Sequence, residues 1–204
     1  LAAAQYNRAL ESASPELSRL VRFNLGSVNE AVGQVRKAIK LYEGIMQEEI
    51  DFGNLKKRVK QLKTTSLQSM RNRPLQLALQ EFGKKELIGF WGREPKPASR
   101  SSGREEVSVS FGQEHNQEGV EFFFKGMSTA AEEEFMLAVQ LDKNFTVALN
   151  NLAVALAKQG KFEEARLRLG EAAQLDPASV VYYNNLGVVL FLLGRYEAAQ
   201  VALE

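Results

Sequence analysis

Catalysis needs reactive side chains that a fold can bring together, and this chain supplies few. His115 is the single histidine in 204 residues, and there is no cysteine. A thiolate metal site and a disulfide framework are therefore both excluded. Without a cysteine or spaced carboxylate partner, His115 reads as a solvated loop residue. Three consecutive carboxylates, Glu132, Glu133 and Glu134, open a stretch with helical spacing, where negative charge complements the helix dipole. To hold a metal they would need ligands from elsewhere in the chain. The expectation is a protein that is not an enzyme, with no catalytic, cofactor-binding or metal-binding residues.

Residues suited to recognition are more numerous. Lys56, Lys57, Arg58, Lys60 and Lys63 lie in a segment with no acidic residue from 52 to 80. Such a stretch is a candidate docking patch for an acidic protein surface, a nucleic acid or an anionic membrane. It could equally be a solvated face opposite Leu55, Val59 and Leu62. Nucleic acid is the weaker reading, because residues 53–80 hold no aromatic residue to stack on bases. The asparagines form a second pattern. Asn24, Asn151 and Asn185 each immediately precede a leucine, and Asn150 and Asn184 precede two of them. An amide both donates and accepts, so a row of them can grip a peptide backbone or one another.

What positions these residues is a repeat. Residues 138–170 laid on 172–204 without gaps give 14 identical pairs in 33, a period of 34. A fixed period of this size marks a solenoid, in which each unit buries its apolar face on its neighbour. The period holds Leu152-Ala153, Leu156, Gly160, Phe162, Ala165, Leu169, Ala172 and Pro177, and the positions up to Leu169 recur as Leu186-Gly187, Leu190, Gly194, Tyr196, Ala199 and Leu203. This pattern resembles the tetratricopeptide repeat. Weaker copies follow the same offsets at Gly126, Ala131, Phe135 and Ala138, and at Asn24-Leu25-Gly26, Gly33, Ala38 and Tyr42. In the first of these Glu118 stands where a leucine is expected. The resemblance implies an all-α fold of antiparallel helix pairs whose first helices line a concave face. It places Asn24, Val147, Asn150, Asn151, Val154, Lys158, Val181, Asn184, Asn185, Val188 and Phe191 on that face. There the asparagines would clamp an extended peptide or bridge adjacent repeats; both readings stand.

The charge divides unevenly along the chain. Residues 1–100 carry 18 Lys/Arg against 10 Asp/Glu, and residues 101–204 carry 8 against 15. Apolar spacing predicts helices over 16–31, 34–48, 54–71 and 74–90. Residues 1–12 look like the second helix of an earlier repeat. The apolar run Ile88 to Trp91 closes the first half. A Pro-, Ser- and Gly-rich stretch follows, in which residues 107–111 alternate like a strand. The organisation expected is an N-terminal helical region over 1–92, a flexible linker over 93–112 and a C-terminal array over 113–204. One superhelix with a long insertion is the other arrangement.

No apolar run approaches the ~20 residues that span a bilayer. The lack of cysteine and of a visible targeting segment favours an intracellular, cytoplasmic setting. The chain reads as part of a longer protein. Its expected function is a scaffold that binds a protein or extended peptide, within a multisubunit complex. The alternative is the recognition arm of an enzyme whose catalytic domain lies outside this segment.

Overall fold

The computed structural model describes residues 13–48, 54–64 and 103–204, with side chains from 111 onward in the last stretch. Nine helices make up these residues: α1 (Pro15–Ala31), α2 (Val35–Met46), α3 (Leu55–Thr64), α4 (Gly103–Phe124), α5 (Ser128–Leu141), α6 (Thr146–Lys158), α7 (Phe162–Leu175), α8 (Val180–Leu192) and α9 (Tyr196–Leu203). The described residues contain no strand. The expected helices at 1–12 and 74–90, and Trp91, lie outside them.

Each hairpin is built by the same local chemistry. Ser14 accepts a hydrogen bond from the Leu17 N–H and Pro15 occupies the first turn, so α1 starts with a capped end. Gly33, Gly126, Gly160 and Gly194 close the first helix of their hairpins with φ between 74° and 80°. That left-handed backbone lets the next N–H turn back onto the helix, as Lys161 N does to Leu156 O at 3.0 Å and Arg195 N to Leu190 O at 2.9 Å. At the far end of α7, the Asp176 carboxylate accepts from Ala178 N across Pro177, and the chain turns into the next unit.

The hairpins α4/α5, α6/α7 and α8/α9 stack in chain order. The next unit in space is not the next in sequence. Helix α1 packs on α8 and α9, so the N-terminal hairpin α1/α2 follows the third C-terminal one, and α3 packs on α2 beyond it. Leu17, Val21 and Val28 of α1 share one buried cluster with Val180, Leu190, Phe191, Ala199 and Leu203. Phe23, Ala38, Tyr42, Ile45, Leu55 and Val59 form another, which takes in Val188 of α8.

Two expectations are corrected here. The second half of the stretch read as linker, from Gly103, is helix, and the strand-like alternation at 107–111 falls within α4. A lone strand would leave its backbone groups unpaired, whereas a helix satisfies them internally and can pack on α5. His115 therefore sits on a helix rather than in a loop, and its Nδ1 lies 2.7 Å from Glu134 Oε2.

Candidate functional site

The asparagines that precede the repeat leucines come together in one buried row. Asn24 Nδ2 donates to Asn184 Oδ1 at 2.7 Å, and Asn184 Nδ2 to Asn185 Oδ1 at 3.3 Å. Asn185 Nδ2 donates to Asn150 Oδ1 at 2.8 Å, and Asn150 Nδ2 to Asn151 Oδ1 at 3.4 Å. Asn151 Nδ2 completes the row on Asn116 Oδ1 at 2.9 Å. Every bond runs in the same direction, so six amides from α1, α8, α6 and α4 form a single donor–acceptor chain across four hairpins. Asn24, Asn150, Asn151, Asn184 and Asn185 are all at most 7% exposed. At that depth each amide needs a partner, and most find it in the neighbouring unit. Among the ladder atoms, Asn24 Oδ1 is buried without one.

Asn116 was not singled out in the sequence. Its signal was present, since it stands 34 residues before Asn150. It was hidden by the degenerate first helix around it.

The other residues expected on the concave face divide by burial. Val154, Val188 and Phe191 are buried, at 0%, 4% and 2% exposure, and serve the packing between hairpins. Val147 and Val181 are half-buried at the starts of α6 and α8. Lys158 is exposed, with its Nζ 4.4 Å from the centre of the Phe123 ring, where a cation is attracted to the aromatic face.

The basic stretch also divides. Arg58 Nε bonds Glu30 Oε1 at 2.6 Å, and Lys63 Nζ bonds Glu43 Oε1 at 2.6 Å. Lys56, Lys57 and Lys60 point away from the buried Leu55 and Val59 and are exposed. Beside Arg58, the Tyr42 hydroxyl donates to the same Glu30 Oε1 at 2.6 Å and lies 3.1 Å from Ser27 Oγ. Burial, partly opposed by Arg58, pushes the Tyr42 phenol far above its ordinary range. A free tyrosine ionises near pH 10, so above that pH the unfolded chain loses a proton that the folded chain keeps. The stability Tyr42 contributes is therefore complete below about pH 10 and falls as pH rises further. In alkaline denaturation titrations Tyr42→Phe is expected to show the shallower decline. An equal slope in both proteins would remove Tyr42 as the cause.

At the opposite end, one ligand atom each from His115, Glu118 and Glu134 lies within 4.8 Å of the other two. His115 and Glu134 already satisfy each other, and Glu118 is exposed.

Two-helix units stacked on one ladder define a helical-hairpin solenoid, a class that works through protein contacts. Residues 155–194 match the family model described as a TPR repeat. Over that stretch the chain carries a tetratricopeptide repeat. Twenty-three solved chains resemble it. They include the yeast Sti1 structure described as a TPR2AB-domain:pHSP90 complex, at 19% identity and a TM-score of 0.44. That alignment covers 82% of this chain and 52% of the other, so this chain spans about half the length of the solved one. No curated protein matches. No helix among the described residues is long and apolar enough to cross a membrane.

Proposed function

We propose that this chain is a non-enzymatic interaction scaffold that holds a peptide segment or partner subunits on the face of its first helices. The observation that carries this reading is the ladder itself. It aligns α4, α6, α8 and α1 side by side and removes their freedom to shift, so a ligand meets a preformed surface. With the amides committed to one another, contact falls to the accessible positions on that face, Val147, Val181 and Lys158. These suit an extended segment with apolar side chains and an acidic group near Lys158.

A second contact region is favoured by the second helices. Leu141 and Leu175, one repeat apart, are 39% and 47% exposed, and Leu167 and Val201, also one repeat apart, are 53% and 76% exposed. A repeated apolar stripe in solvent suits burial by neighbouring subunits. The chain is thus proposed as a member of a multisubunit assembly.

The test is affinity capture from native extract with the Val147→Glu/Lys158→Glu variant beside the parent, both checked by circular dichroism. Selective loss of one stoichiometric partner from the folded variant supports the groove. An unchanged set of partners would overturn it and leave the outer stripe as the contact.

A further inference from the structure

Among the described residues the two ends of the stack carry opposite charge. On α4, Glu114, Glu118 and Glu121 form one exposed stripe at helical spacing. The residues 34 positions later, Ala148, Leu152 and Ala155 on α6, are at most 3% exposed. Leu152 and Ala155 share their cluster with Phe123, Ala131 and Phe135 of the preceding hairpin. Among the described residues no hairpin is stacked on this side of α4, and the same stripe there is exposed and made of carboxylates. This accounts for a glutamate at 118 where the repeat calls for leucine. Lys125, in the turn between α4 and α5, reaches Glu121 at 3.6 Å and is the one Lys or Arg in residues 111–141.

The far end is α3. Its apolar face is spent on α2 and the cluster around Tyr42, and Lys56, Lys57 and Lys60 face outward. Each carboxylate in residues 13–48 and 54–64 is already engaged: Glu16 with Arg19, Glu48 with Arg19 and Arg22, Glu30 with Arg58, and Glu43 with Lys63. Nothing acidic remains in these segments to neutralise the three lysines. Polar ends keep a solenoid from stacking through apolar contacts. Ends of like charge would also repel, whereas these attract.

We infer that copies of this chain associate head to tail, with the Lys56/Lys57/Lys60 face of one seated on the Glu114/Glu118/Glu121 stripe of the next. The contact is heterologous, since different surfaces meet, and it can therefore propagate along a row of copies. A second copy fits this end better than a nucleic acid, because α3 offers no exposed aromatic for stacking. It also fits better than a membrane, because the apolar face of α3 is already buried. Exposed ion pairs are individually weak, so the association is reversible and governed by salt.

Sedimentation velocity over a concentration series tests this. At about 10 mM salt, where charges reach ~30 Å, mass rises with concentration; at about 1 M, where they reach ~3 Å, the monomer alone is expected. Lys56→Glu/Lys57→Glu/Lys60→Glu and Glu114→Lys/Glu118→Lys/Glu121→Lys each remain monomeric at low salt, and mixing the two in equal amounts restores association. The reversed ends of one variant then repel their own kind and attract the other. A monomer at every salt and concentration, triple variants that associate like the parent, or a mixture that stays monomeric would each overturn the inference.

Discussion

Asn185→Ala is expected to cost the folded chain about 2–6 kcal/mol in urea denaturation, because it leaves two buried groups without partners at ~1–3 kcal/mol each. Asn150 Oδ1 loses its donor and Asn184 Nδ2 its acceptor, and their residues are 7% and 2% exposed. Water cannot easily replace either bond. Asn151→Ala should cost less, since Asn116 at its end of the ladder is half-buried and can be rehydrated. The order of the two losses is as informative as their size. Equal, sub-kilocalorie effects would mean that the amides contribute little to stability and are free to serve a ligand.

The second large effect lies in the contact between the helices of one hairpin. A Cβ on Gly119 would sit 2.6 Å from Phe135 Cδ1, well inside contact distance. One repeat on, the same pair is Ala153 and Leu169, both fully buried. At that pair a leucine accommodates the methyl group, although a Cβ on Gly187, one repeat further, would lie 2.6 Å from Leu203 Cγ. Gly119→Ala alone should therefore destabilise the chain by about 1–3 kcal/mol through overpacking. Gly119→Ala combined with Phe135→Leu should recover most of that loss. If the double variant is no better than the sum of the two single changes, the helices are not set by this knob and hole.

The hairpins were readable from the sequence because their determinants are local. A glycine needed at positive φ and a small residue at the helix contact recur every 34 residues and specify each unit separately. The asparagine pairs were readable for the same reason, although their burial was not, since an amide suits a groove and an inter-repeat bond equally. The position of α1 against α8 and α9 was not readable. Asn24 and Asn184 are 160 residues apart, and neither hairpin records which free end it will cover. Glu118 looked like a defect in the repeat until the open end explained it. The helix from Gly103 was obscured by serine, glycine and an alternating pattern that suggests a strand, a preference that packing on α5 overrides.

The N-terminal hairpin and the C-terminal repeats form one stack tied by the ladder. A double-mutant cycle on Asn24→Ala and Asn184→Ala, read by chemical denaturation, tests it most directly. Side chains that bond at 2.7 Å in a buried site should couple by about 1 kcal/mol or more, so the double variant should be less destabilised than the sum of the singles. Additivity within ~0.5 kcal/mol would show that the two residues do not meet. The N-terminal hairpin would then have no place at the end of the array.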